Sequence, residues 1–151
     1  MTPLVVMGLA GLIAGVPVVW WVRRRYLVVT VHGESMVPAY LPGERVLVRR
    51  TAPGALRAGQ VVVLREFAAA RPDGDRVEEP RPQWIIKRVA AVPGDAIPRD
   101  TVPALRTAPG TLVPAGRLVV LGDNPARSHD SRHTGYLTAD RLFGVVLRKV
   151  E

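Results

Sequence analysis

The chain of 151 residues has no cysteine, which excludes disulfides, thiol catalysis and cysteine-ligated metal. Its reactive side chains are few: the serines are Ser35, Ser128 and Ser131, the histidines are His32, His129 and His133, and the lysines are Lys87 and Lys149. Aromatic residues make up only 5%, leaving little surface on which bases could stack, and no nucleic-acid motif is present. The formal charge of +8 therefore points to phospholipid headgroups rather than nucleic acid. No metal-ligand spacing joins the three histidines, so neither a metal nor another cofactor is expected. With 14 Gly and 14 Pro the chain is broken by turns too often for long soluble helices, while a 48% apolar share is too high for a disordered chain. The length suits one domain with an appended segment.

That appended segment is residues 2–22, TPLVVMGLAGLIAGVPVVWWV, which carry no charge. About 20 apolar residues at a helical rise of about 1.5 Å match the hydrocarbon core of a bilayer, so a single transmembrane anchor is expected. Trp20, Trp21 and Tyr26 stand where interfacial aromatics belong, and Arg23, Arg24 and Arg25 end the apolar run. A cleaved secretory leader would show a basic start and a small-residue cleavage site, and neither is there.

After the arginines the pattern changes to short β-branched runs at 26–32, 45–50, 60–67, 83–92, 117–122 and 141–150. Turn signals separate them, including LPGE at 41–44 and VPGD at 92–95. Residues 67–82 are largely polar and proline-rich and predict a mobile excursion. The expectation is a mainly β domain over 26–151, an antiparallel and partly closed barrel-like sheet.

Ser35 follows the first strand within HGESMVP, with Gly33 two positions before it and Pro38 three after. Such a serine can expose its hydroxyl beside backbone N–H groups suited to an oxyanion; an ordinary turn serine is the alternative. A serine nucleophile needs a base, and Lys87 stands among Ile85, Ile86 and Val89. Burial there would favour the neutral amine, whereas the solvated face of an alternating strand would leave an ordinary lysine. A serine triad drawing on His32, His129 or His133 with Asp123 or Asp130 is the competing arrangement. The cluster LGDNPARSHDSRHTG at 121–135 can fold as a turn, with Ser128, Asp130, Ser131 and Arg132 in one polar network, or as a solvated loop.

Taken together, these segments resemble the bacterial type I signal peptidases, Ser/Lys proteases that cut signal peptides from secreted proteins. The resemblance rests on Ser35-Met36-x-Pro38, on Lys87-Arg88-Val89 with Pro93-Gly94-Asp95, and on Gly122-Asp123-Asn124 with Ser128, Asp130, Ser131 and Arg132. A weaker box is Gly59 to Val63, and Ala39, Tyr40, Glu44 and Gln60 depart from the family pattern.

The resemblance implies Ser35 as nucleophile and Lys87 as its base, with Ser128 holding the amine. It implies an oxyanion met by the Ser35 N–H, with Gly33 where some members place a second donor. Asp123, Asn124, Asp130 and Arg132 would fix the loop, and Val31, Met36 and Ile86 would line shallow pockets for Ala-x-Ala. The implied partners are preprotein signal peptides and the lipid bilayer, and a monomer is expected. The implied location is the cell membrane, single-pass, with the catalytic domain on the extracytoplasmic face. Arg23 to Arg25 conflict with that topology under the positive-inside rule. Alternatives are a protease dedicated to one precursor, a self-cleaving repressor, which would carry a DNA-binding segment instead of an anchor, and a non-enzymatic membrane-tethered binding domain.

Overall fold

Four consecutive apolar residues, Val61 to Leu64, are all buried, because the strand that carries them is covered on both faces. That strand lies inside an antiparallel sheet seen in the computed structural model, which describes residues 20–67 and 82–151. The strands are β1 Tyr26–Thr30, β2 Arg45–Arg50, β3 Val61–Phe67, β4 Pro82–Ala91, β5 Arg117–Leu121, β6 Leu137–Thr138 and β7 Leu142–Val150. Their order across the sheet is β1-β2-β7-β3-β4-β5-β6. One short helix, α1 (Ser131–Thr134), lies between β5 and β6, and residues 20–25 are helical where they lead into β1.

The six expected strands are all present, with ends shifted by no more than two residues. The expected partial closure is not: the sheet is open, with β1 and β6 as its edges. The physical reason lies in β6, whose two residues pair only with Arg117 and Leu118 of β5 and offer no ladder to a further strand. The expected excursion is also shorter than 67–82, since Phe67 and Pro82 are themselves paired in the β3–β4 ladder. The rest of it lies outside the described residues, as does the expected anchor apart from residues 20–22. Among the described residues no helix is long and apolar enough to cross a membrane.

Alternation along β3 divides the interior in two. Val61 and Val63 join Val29, Val31, Met36, Val46, Val48, Ile86 and Val146 on one side. Val62 and Leu64 join Val89, Leu118, Val120 and Val145 on the other. Each fully buried side chain of this size contributes about 1.5–3 kcal/mol from removal of apolar area from water. A third cluster, built from Ile97, Val102, Leu105 and Val113 against Ala91 and Val119, secures the connection between β4 and β5.

This framework positions three loops. The ladder of β1 continues past Thr30, with Val31 N–H donating to Glu44 O (2.8 Å) and Gly43 N–H to Val31 O (2.9 Å), so the turn holding Ser35 is pinned at its base. Gly43 supplies the left-handed backbone there, at φ 88°. β4 presents Lys87 opposite Val62 of β3, and its neighbour β5 delivers the chain to Gly122.

Candidate active site

Lys87 is only 5% exposed, yet its amine is not orphaned. Its Nζ donates to Ser128 Oγ at 2.9 Å, and Ser128 Oγ donates to Asp130 Oδ2 at 2.6 Å. The order of donation follows from charge. An ionised carboxylate only accepts, so the Ser128 proton is committed to Asp130 and the Ser128 oxygen is left to accept from the lysine. An amine held in this way through one N–H keeps its lone pair directed elsewhere when neutral.

Asp130 also accepts from Gly122 N–H (2.8 Å), from Arg132 N–H (3.0 Å) and from the Arg132 guanidinium (2.8 Å). Burial alone would raise its pKa, but the hydrogen bonds from Gly122, Ser128 and Arg132, with the Arg132 charge, outweigh that and hold it below the usual carboxylate range. Lys87 is shifted down, first by burial and further by the Arg132 charge, against the opposing pull of Asp130 and Glu66. Burial thus favours the uncharged amine, the form able to take a proton.

Asp130 caps α1, accepting from Arg132 N–H, and this local signal folds the chain after Ser128 back on itself. The Ser131 hydroxyl, fully buried, accepts from Val120 N–H at 3.0 Å and joins the loop to β5.

Ser35 is half-buried in its turn beside Met36, and its carbonyl accepts from Asn124 N–H at 2.9 Å. Gly122 lies where the two loops cross. A Cβ built there would stand 2.2 Å from Ser128 Oγ and 2.6 Å from Ser35 O, so only glycine permits the approach. Gly33, at φ 76°, makes the bend into Ser35 in a conformation that side chains other than glycine's disfavour. The turn that holds Ser35 and the lysine's hydrogen-bonded network therefore meet at Gly122. Among the described residues, no hydrogen bond joins Ser35 Oγ to Lys87 Nζ directly.

Two partners were not legible in the sequence. Arg88 forms a fork on Asp123, with Nε to Oδ1 at 2.8 Å and Nη2 to Oδ2 at 2.7 Å, and also donates to Gly59 O. The residue after the lysine thus grips the turn that reaches Ser35 through Asn124. On the surface, Arg127 pairs with Glu34 at 3.3 Å, linking the same two loops again.

The histidines lie at the surface. His32, His129 and His133 are exposed, and the rings of His129 and His133 stack on each other at 5.1 Å. Asp123 and Asp130 are occupied by Arg88 and by the Ser128–Arg132 network, so a Ser–His–Asp triad is not assembled.

Val31, Met36 and Ile86 are buried together in the first core cluster, at 2%, 1% and 6% exposure. The open groove beside them, about 680 Å³, is lined by β1 residues Leu27 to Thr30, by His32, and by Gln83 and Trp84 of β4. A separate cavity of about 300 Å³ has Lys87, Asp130, Glu66 and His129 in its wall.

The family described as "Signal peptidase, peptidase S26" matches residues 4–102 and 98–150 of the chain. Among curated proteins, the mitochondrial ATP-independent inner membrane protease subunit 1a of Arabidopsis thaliana is 30% identical over 135 residues, spanning 85% of this chain and 74% of the relative. Signal peptidase IB of Staphylococcus aureus (strain COL) is 30% identical over 153 residues, spanning 78% and 73%. A hydroxyl, a buried lysine and the network that holds it thus occur in a chain that belongs to the signal peptidase family, peptidase S26, and is a serine endopeptidase.

Proposed function

We propose that this endopeptidase removes signal peptides from secreted preproteins, with Ser35 as nucleophile and Lys87 as general base. The observation that carries the reading is the buried Lys87 amine, depressed in pKa and held by Ser128 at 2.9 Å. Neutral Lys87 takes the Ser35 hydroxyl proton as Oγ attacks the scissile carbonyl. The same proton then passes to the departing amine, which leaves an acyl-Ser35 ester. The Ser35 N–H meets the developing oxyanion, and Gly33 shapes the bend that aims it. Lys87 next takes a proton from a water, which attacks the ester, and returns that proton to Ser35 Oγ as the C–O bond breaks and the acid is freed. The cavity beside Lys87 has room for several waters at about 30 Å³ each.

The substrate lies extended along the free edge of β1, whose unpaired backbone groups suit strand addition. Val31, Met36 and Ile86 are buried in the core cluster that Val29 and Trp84 of the groove also touch, and this packed backing leaves depth only for small side chains, hence Ala-x-Ala before the cut. Residues 2–22 tether the chain to the membrane, with the catalytic domain on the extracytoplasmic face.

The test is cleavage of an Ala-x-Ala preprotein by detergent-solubilised enzyme. Ser35→Ala and Lys87→Ala both abolish it, and bulky residues in place of either alanine block it. Equal cleavage by the Ser35→Ala variant and the parent would remove the basis of the proposal. Several unrelated preproteins assayed in parallel distinguish general processing from service to one precursor.

A further inference from the structure

Four arginines of the described chain lie over aromatic rings, and all four lie at the same end of the sheet. In the helical turn before β1, the Arg24 guanidinium stands 3.9 Å from the Trp20 ring centroid, and Arg25 stands 5.2 Å from that of Trp21. The next residue, Tyr26, pairs with Arg49 of β2, which places the last residue of β2, Arg50, beside that turn. Arg50 covers the Phe143 ring at 4.5 Å. Phe143 meets Trp84 edge to face at 4.7 Å, and Arg65 covers Trp84 at 5.6 Å.

Trp84 and Phe143 rest on the first core cluster, so the rings are fixed while Arg50 and Arg65 are exposed above them. The remaining cation–ring pair is different in kind: Lys149 over Tyr40 lies at the opposite end of the sheet, and its amine is paired with Glu44 at 2.8 Å.

Arginine is suited to this arrangement. Its planar guanidinium stacks on a ring through one face and still directs its N–H edge at a phosphate, which a lysine ammonium cannot do in the same geometry. Rings with an apolar body beside a cation are the side chains that settle at the headgroup level of a bilayer.

We propose that Arg24, Arg25, Arg50 and Arg65, with the rings beneath them, form a belt that binds anionic phospholipid headgroups and seats this end of the sheet in the bilayer surface. The inference rests on the membrane-tethered reading above. It gives the basic run after the apolar segment a role other than topology: these arginines belong to a surface completed by β2 and β3. The belt also borders the substrate groove, since Trp84 lines both. Its docking fixes the height of the groove above the acyl chains.

The test uses the full chain with Trp20→Phe and Trp21→Phe, which leaves Trp84 as the single tryptophan. The protein is reconstituted in vesicles of phosphatidylcholine alone, or of equal parts phosphatidylcholine and phosphatidylglycerol, each brominated near the top of the acyl chain. Trp84 emission is expected to be quenched in the anionic vesicles and much less in the neutral ones. Raised salt should weaken the quenching. Adding Arg50→Gln and Arg65→Gln should abolish it, while cooperative unfolding in detergent shows that the fold is kept. Equal Trp84 quenching in both vesicles, or full quenching in the double arginine variant, overturns the belt. Flotation separates this from the tether: a chain that floats with neutral vesicles but shows no anionic-lipid effect loses only the belt, whereas one that floats with neither loses the tether as well.

Discussion

Ser128 accepts a hydrogen bond from Lys87 at 2.9 Å while giving its own proton to Asp130, so the hydroxyl acts as an oriented acceptor for the amine. Replacing it by alanine leaves Lys87 buried without that partner and free to swing. Ser128→Ala is expected to lower kcat by about 10²-fold or more, the scale of a misplaced general base, with a smaller change in KM. Steady-state kinetics on a preprotein check the split; a variant with undiminished kcat would show that the hydroxyl does not orient the base.

The depressed pKa of Lys87 has two consequences with the same sign. Activity rises with pH as the amine loses its proton, with a midpoint below the unperturbed value of about 10.4, and Lys87→Arg is inactive because arginine stays charged. Between the lowered folded pKa and about 10.4 the unfolded chain binds more protons at this site, so the site's contribution to stability increases with pH across that window. Lys87→Met should therefore be at least as stable as the parent at pH 7, with the difference shrinking toward pH 10. Denaturant titrations of the pair at several pH values measure this.

At Gly122 there is no room for a methyl group. A Cβ would stand 2.2 Å from Ser128 Oγ and 2.6 Å from Ser35 O, and the second contact is with backbone, which yields least. Gly122→Ala is expected to cost about 1–3 kcal/mol of stability, in line with overpacking. Its effect on turnover should be larger than unfolding explains, because the atoms displaced belong to the Ser35 turn and to the lysine's partner, the two parts that the proposed mechanism brings together. Activity measured well below the variant's melting temperature distinguishes the two contributions.

Asp123 and Arg88 are partly exposed, at 20% and 38% by side chain, so their fork is screened by water. Arg88→Lys keeps the charge but loses the two-pronged contact, and its stability cost should stay near about 1 kcal/mol. A larger change is expected in kcat, since the Asp123–Asn124 turn carries the hydrogen bond to Ser35 O. Asp123→Asn should reproduce that kcat change; a purely structural bridge would move the unfolding midpoint and leave kcat unaltered.

The strands were readable because their apolar residues either alternate, as in Val46 and Val48, or form a short continuous run, as in Val61 to Leu64, between strong turn signals. β6 was not, since Leu137 and Thr138 are too few to show a period. α1 went unread for the same reason, although its capping Asp130 is a local signal that could have marked it. Without β6 the open edge was also hidden, and partial closure was expected in its place. Ser35, Lys87, Ser128 and Asp130 stood out by scarcity and motif. Arg88 did not, because its meaning depends on Asp123, which lies 35 positions away and becomes its neighbour only when β4 and β5 pair. The need for glycine at position 122 was likewise invisible, since it arises from two loops crossing rather than from local backbone conformation.

Asp130 has both oxygens engaged: one accepts from Gly122, Ser128 and Arg132, the other from the Arg132 amide. A carboxylate so occupied, and shifted toward ionisation, is closed as a proton store. In the mechanism proposed above, the proton that Lys87 takes from Ser35 stays on nitrogen until the departing amine collects it, so each half-reaction moves one hydrogen through one atom. In mixtures of light and heavy water the rate of such a machine falls in a straight line with deuterium content, where a relay through two sites would bow.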